Sequence, residues 1–392
     1  MLEENRSVGT RTVERPSGVA ELSALVSDAS RSERSLLLRG GGTHAAFANI
    51  GPEPDSVIDL TGLDAVIDYS PVDLTLAVGA GARLSAIDRL LAEHGQRLAL
   101  DMPNRDRATI GGAFASGLSG PRRLRYGSLK DMVIGSEIVN HRGEVTKSGG
   151  MVVKNVSGYE ISRLHYGAHG AFGVVSRLNL KVLPAPESRA EAVCRYDDPA
   201  SCIEAAMTIL VSSLDPAAVY AVRSAAGWNL SVQVEGSARF TAAQGERIVD
   251  HLSVVQEPHS ADVIQLDGRS TPGFDKIADL LDAEHSLVAR LSVPASNQSD
   301  FLRRLPFLES VEVLADLGSG LIYLRCNASQ ESLSRLDELD HPLVYLALPD
   351  SLRQGRDVFG VISETSGMVL SRLKDEYDPK RVFNPGRFVS FL

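Results

Sequence analysis

Residues 36–44 read Leu-Leu-Leu-Arg-Gly-Gly-Gly-Thr-His, an apolar run that stops in three glycines, a threonine and a histidine. Glycine takes positive φ at little cost and puts no Cβ between the backbone and a ligand. Successive N–H groups exposed in such a bend form a concave anion site able to hold a pyrophosphate. Gly40, Gly41 and Gly42 are therefore candidates to cradle phosphate, flanked by Arg39, Thr43 and His44.

Other stretches carry weaker signals of the same kind. Gly79-Ala80-Gly81 follows an apolar strand pattern, but Leu84 stands where a dinucleotide fingerprint needs its third glycine, so that motif is absent. Thr109-Ile110-Gly111-Gly112-Ala113-Phe114-Ala115-Ser116-Gly117 is rich in small residues. Such a run either lets a flat ring lie against the backbone or makes a tight helix contact, and the run alone does not choose. Gly120–Gly127 is a basic loop containing Arg122, Arg123 and Arg125; a solvated turn is its plainest reading. Lys154-Asn155-Val156-Ser157-Gly158-Tyr159 and the glycines at 167, 170 and 173 complete the unusual stretches of the first half.

Around these motifs the chain has ordinary globular texture. Its 392 residues are too many for one simple core and suggest at least two domains. The net charge of −10 argues against nucleic acid or an anionic membrane surface as a partner. No apolar run is long enough to span a bilayer, and the polar start, Met1–Arg15, lacks the apolar centre of a signal peptide. The three cysteines, Cys194, Cys202 and Cys326, imply no disulfide framework and are one short of an iron–sulfur ligand set. A reducing, cytoplasmic setting is expected.

The elements that must position the motifs can be read from periodicity. A helix beginning near Val19 has Ser17 as its expected N-cap. Strands are expected at 35–38 and 57–60, a hairpin over 64–69 and 74–78, and a helix carrying Leu84, Ile87 and Leu91 that stops at Gly95. Further strands are expected at 132–139, 144–146 and 174–183, with a helix from about 160 to 166. Pro184-Ala185-Pro186 marks the main boundary. Beyond it the order strand 189–196, helix 199–213, strands 217–223 and 228–235, helix 239–252 recurs as strand 288–293, helix 297–304, strands 309–315 and 320–326, helix 329–338, strand 343–348. This hints at a duplicated sheet-and-helix layer; the polar stretch 254–274 is read as loop. A last helix with Met368, Leu370 and Leu373 leads to Asp378-Pro379 and the closing Asn384-Pro385-Gly386.

Taken together, the Arg39–Thr43 loop, Gly79-Ala80-Gly81, Thr109-x-Gly111-Gly112, Tyr126-Gly127 and Asn384-Pro385-Gly386 resemble the FAD-binding proteins of the vanillyl-alcohol-oxidase (PCMH-type) superfamily. Within it, Gly117–Arg123, Lys154–Tyr159, Ser162–Leu164 and Asp378–Gly386 are similar to the smaller flavin subunit of bacterial glycolate oxidases. The likeness is dense over 19–187 and 366–392 and thin between. It implies an α+β chain: a two-part PCMH-type FAD-binding domain over 1–187, an α/β cap on an antiparallel sheet over 188–365, and a helix and tail over 366–392 returning to the FAD domain. FAD would contact residues 39–44, Met102, Pro103, Thr109, Gly111, Gly112, Ser116, Gly117, Tyr126, Gly127, Gly173, Val174 and Asn384.

The resemblance also implies chemistry and company. Relatives with covalent flavin carry the linking histidine directly after the glycine turn; Thr43 stands there and His44 is one residue late, so non-covalent FAD is expected. The implied reaction is oxidation of a small 2-hydroxy acid, which needs a cation for the carboxylate and a base for the hydroxyl proton. Arg122, Arg123 and Lys154 are candidates for the first role, Tyr159 and His169 for the second. Stand-alone relatives carry His-x-Gly-Asp-Gly-Asn and a later Glu-His-Gly in the second domain; neither stands there, the only Glu-His-Gly being residues 93–95. The usual Gly-Ser-Glu-Gly-Thr-Leu-Gly reads Gly167-Ala168-His169-Gly170-Ala171-Phe172-Gly173. No metal site is expected in this chain. The implied partners are a larger FAD subunit holding the substrate-metal site and an iron–sulfur subunit, through which the complex could sit peripherally at the inner membrane. The competing expectations are a self-sufficient FAD-dependent alcohol or hydroxy-acid oxidase, and an FAD-binding electron-relay subunit without its own substrate site.

Overall fold

The computed structural model describes residues 12–151, 161–266, 286–305 and 311–392. The first part begins with a small parallel sheet in the order β1–β3–β2, formed by β1 (Thr12–Glu14), β2 (Leu36–Arg39) and β3 (Ser56–Asp59). Helix α1 (Val19–Arg31) covers it, burying Leu22, Val26 and Ala29 one helical turn apart against Leu36 and Ile58. Gly18, not Ser17, occupies the N-cap. The Ser17 hydroxyl and N–H instead donate to the Glu21 carboxylate, which holds the helix entrance from one residue further out.

A five-stranded antiparallel sheet follows, made of β4 (Val66–Ser70), β5 (Thr75–Gly79), β6 (Val133–Val139), β7 (Val145–Gly149) and β8 (Val174–Lys181) in the order β4–β5–β8–β6–β7. Helices α2 (Leu84–Ala92) and α3 (Ile110–Ser116) pack on it, sharing a core of Leu76, Val78, Leu84, Ile110, Phe114 and Leu178. Gly95, at φ +62°, ends α2 as expected. Of the helix expected over 160–166, the described part is one turn, Ser162–His165.

The cap is built twice. Its first set comprises β9 (Ser188–Tyr196), α4 (Pro199–Leu210), β10 (Ala218–Ser224), β11 (Gly227–Gly236), α5 (Ala238–Val255) and β12 (Ser260–Gln265). The second comprises β13 (Ser286–Ser292), α6 (Ala295–Arg304), β14 (Glu312–Asp316), β15 (Leu321–Asn327), α7 (Gln330–Asp337) and β16 (Leu343–Ala347). All eight strands form one antiparallel sheet ordered β12–β9–β11–β10–β14–β15–β13–β16. Each set is therefore a β-α-β-β-α-β unit with strand order 4-1-3-2, and the two meet at β10–β14. This corrects the loop reading of 254–274 at 260–265: β12 is the fourth strand the repeat requires, paired with β9 from Ala190↔Gln265 to Arg195↔Ser260. Its side chains are mostly exposed, so it has polar composition without the alternation of a half-buried strand.

Helices cover one face of this sheet, around Ala192, Leu230, Ala289 and Leu324. The other face carries Tyr220, Val288, Leu314, Tyr323 and Leu346 into the same core as Phe114 and Leu118 of the first part. The chain ends with α8 (Glu364–Tyr377) and a tail that returns to β2, where the Asn384 N–H donates to Leu36 O at 2.9 Å.

Candidate cofactor cleft

The site is built where β2 runs out. An added Cβ on Gly41 would lie 1.8 Å from the Arg107 carbonyl oxygen, and one on Gly40 would lie 2.5 Å from Thr109 Oγ1, so this bend is pressed against the segment entering α3. Gly42 turns away at φ +70°. Thr109 caps α3 by accepting from the Gly112 N–H at 3.1 Å. Gly111 meets the Gly79–Gly81 turn so closely that a Cβ there would stand 2.7 Å from Ala80 O. At Gly111 the small-residue run serves a tight crossing, and Gly112 and Ala115 line the cleft.

The far wall is the segment 165–174. It crosses the end of α3 through Gly167 N–H to Phe114 O and His169 N–H to Ala115 O, both 3.0 Å. Gly173, at φ +153°, turns it into β8 so closely that an added Cβ would stand 3.2 Å from His165 Cε1. Asn384 closes the end: its Oδ1 accepts from Leu38 N–H at 2.8 Å, and its Nδ2 donates to His169 O at 2.6 Å. Behind it the fully buried Lys374 pairs with Asp378 at 2.7 Å and donates to Ala171 O and Phe383 O, at 2.7 and 3.0 Å. The last residues of the chain are thus tied to both walls of a cleft whose first wall lies near its start.

Two buried histidines line this cleft with a ring nitrogen that has no protein partner, Nδ1 of His165 and Nε2 of His169. Burial lowers the pKa of His165 to about 4. Burial also lowers that of His169, with the nearby charges of Arg387, His44 and Arg290, to about 3. Both are neutral imidazoles at neutral pH, each able to give or accept one hydrogen bond. His169 holds φ +51° with its ring edge-on to Phe47 and Phe359, 4.8 and 5.0 Å between centroids.

Of the residues expected to touch the cofactor, Gly40, Thr109, Gly111, Gly112, Gly173, Val174 and Asn384 line the cleft, and His169 joins them. Gly41, Gly42, Thr43 and His44 continue the bend, with Thr43 Oγ1 3.0 Å from His44 Nδ1. Arg39 is exposed, 4.0 Å from Asp59. Met102 and Pro103 are buried, Met102 in the core with Phe114 and Leu118. The Ser116 hydroxyl donates to Ala113 O, and Gly117 caps α3 at φ +65°. Tyr126 and Gly127 lie at the seam with the cap, where Tyr126 donates to Glu235 at 2.7 Å. Lys154 and Tyr159 fall outside the described residues.

Arg122 is committed elsewhere. Its Nε meets Asp101 Oδ1 at 2.7 Å, its N–H meets Oδ2 at 2.9 Å, and its Nη1 lies 3.3 Å from Glu235. Arg97 and Arg189 also pair with Glu235, at 2.6 and 3.0 Å. Burial opposes charge on Glu235, but Arg97, Arg122 and Tyr126 outweigh it and hold its pKa down to about 2. This network clamps the cap strands β9 and β11 to the first part.

The sequence profile of the FAD binding domain family matches residues 10–149, the stretch that supplies the glycine bend and α3. The match places an FAD binding domain over those residues. The orphaned ring nitrogens and the Cβ-free bend suit that cofactor. The whole chain is similar to the glycolate oxidase subunit GlcE of Escherichia coli K12, 28% identical over 372 residues, covering 94% of this chain and 96% of that one. A D-lactate dehydrogenase of Archaeoglobus fulgidus is 24% identical over 99% of this chain and 93% of its own. The match to the glycolate oxidase subunit GlcD of Bacillus subtilis, 26% identical, covers only 52% of this chain and 43% of that one. Among solved structures, alkyldihydroxyacetonephosphate synthase superposes with a TM-score of 0.71 over 94% of this chain and 75% of that one; at 18% identity this is a likeness of fold. No helix among the described residues is long and apolar enough to cross a membrane.

Proposed function

We propose that this chain is the smaller flavin subunit of a complex that oxidises glycolate or a related 2-hydroxy acid, with FAD held non-covalently in the cleft. The observation that carries the reading is the end-to-end match to GlcE, which includes the cap as well as the FAD-binding domain. The partners of this reading are a larger flavin subunit of the GlcD kind and an iron–sulfur subunit, since three scattered cysteines cannot carry a cluster.

Bound FAD supplies a two-electron acceptor for the carbon bearing the hydroxyl. The chain's own residues do the rest. The 40–44 bend and Thr109 would border the phosphates of FAD. Gly112, Ala115 and Val174 would leave room for its extended body, and His165 and His169 would offer it neutral hydrogen-bonding atoms where a charged group would be costly. Thr43 stands in the tethering position and has no imidazole to link the flavin.

Co-purification from the native cell tests this reading. A larger flavoprotein and an iron–sulfur protein should accompany the chain, and glycolate should bleach the flavin absorbance of the complex. A chain that purifies alone and turns over glycolate at full rate with a dye acceptor contradicts the complex.

A further inference from the structure

The bend at Gly40–Gly42 leans on a segment whose own supports lie outside the cleft. We propose that the ion pair Asp88–Arg105, neither member of which lines the cleft, is a positioning pair for the cofactor: it holds the Arg107 carbonyl against the bend and so sets how tightly FAD is bound. This rests on the reading above that FAD occupies the cleft, and not on which substrate the flavin oxidises.

Residues 98–108 form neither helix nor strand, so their course depends on what they are tied to. Asn104, at φ +53°, starts a turn in which its carbonyl accepts from Arg107 N–H at 2.9 Å and Ala108 N–H at 2.7 Å. The turn sits on the entrance of α2. Leu84 and Ser85 N–H, which no carbonyl within the helix can reach, donate to Ala108 O and Arg105 O, both at 3.0 Å. The Arg105 side chain then reaches one turn along the same helix to Asp88, with Nε 2.6 Å from Oδ2 and Nη2 2.7 Å from Oδ1. Its remaining nitrogen, Nη1, donates to Leu100 O at 2.7 Å. One guanidinium thus fastens both Leu100 and Arg105 to a helix whose Leu84, Ile87 and Leu91 sit in the core. Of the three consecutive charged residues 105–107, Asp106 and Arg107 are exposed and Arg105 alone is half-buried.

The contact with the bend lies two residues on. Arg107 O stands 1.8 Å from where a Cβ on Gly41 would be, so backbone meets backbone with no side chain between them to absorb a shift. Thr109, which caps α3, stands in the same relation to Gly40, its Oγ1 2.5 Å from an added Cβ. A displacement of 105–108 therefore passes directly to the bend. A fork gripping both carboxylate oxygens fixes orientation as well as distance. The Asp88 carboxylate is buried, so solvent screens the pair little.

The test is titration of the FAD-stripped full-length chain with FAD, followed by flavin fluorescence, beside thermal melts that show each variant to be folded at the temperature used. Arg105→Met and Asp88→Asn should each raise Kd about tenfold, within the range that a small misplacement can cost. The double variant should raise it no further than either single change, because the two side chains act as one unit. Arg105→Lys, which can meet Asp88 but cannot also hold Leu100 O, should fall between, and it carries the comparison if Arg105→Met does not fold. Arg356→Met is the control. It removes a guanidinium that likewise contacts both oxygens of a carboxylate, Asp337, within the cap, and should leave the Kd for FAD unchanged whatever it does to the melting temperature. Unchanged Kd in the Arg105 and Asp88 variants of a chain that binds FAD overturns the pair alone, even if their melting temperatures fall. An equal rise in Arg356→Met also overturns it, since the effect would then be general loosening. An unsubstituted chain that takes up no FAD overturns the cofactor reading and the pair with it.

Discussion

Asn384 makes two hydrogen bonds that join the cleft's walls, to Leu38 N–H and His169 O, and the second wall is held in a left-handed conformation at His169. Asn384→Ala should weaken FAD binding about tenfold, the scale of one or two lost hydrogen bonds, and should also lower the melting temperature of the apo-protein, because it leaves Leu38 N–H and His169 O unpaired and puts alanine at φ +44°; fluorescence titration with FAD and thermal melts measure the two effects. Lys374 is a different case because its partner carboxylate is fully buried and also accepts from Val382 and Phe383 N–H. Lys374→Met strands that charge and should cost about 3–5 kcal/mol in urea unfolding; adding Asp378→Asn should recover part of the loss. At Glu235 the sign follows from its depressed folded pKa. Its stabilisation is complete above the ordinary carboxylate range near pH 4.5 and is lost as pH falls toward 2. Urea midpoints at pH 6 and pH 3.5 should therefore differ more in the unsubstituted protein than in Glu235→Gln.

At the scale of elements, the most legible part of the chain was the part where residue type follows from backbone geometry. Only glycine fits at 41 against Arg107 O and at 111 against Ala80 O, so those positions announce themselves. Gly41→Ala should displace the bend and leave protein purified without FAD, and a flavin spectrum checks it. The duplicated cap was legible in its order of strands and helices, except for β12. That edge strand is paired on one side, exposes most of its side chains and so shows no apolar period. Knowing that the second set ends in a strand would have supplied it, because the 4-1-3-2 order places an outer strand beside the first in each half. Arg122 and Tyr126 point to a different blind spot. Their types suit cofactor or substrate, but Glu235, which claims both, lies more than a hundred residues away in sequence.

For the whole molecule, the arrangement is a cofactor cleft assembled from both ends of the chain and a cap locked across it by buried charge. FAD can be enclosed only once the tail after α8 has docked, so removal of residues 378–392 should abolish cofactor retention even where the first part stays folded. The same closure places the cap sheet beside the end of α3, where Tyr323 donates to Ser119 O. The most direct measurement is the visible spectrum of the gently purified chain, before and after acid precipitation, beside Gly41→Ala. The account predicts a yellow protein whose colour passes to the supernatant as FAD, one per chain, and a colourless variant. A native chain that is colourless and takes up no FAD when it is offered, or colour that stays with the precipitated polypeptide, would contradict it.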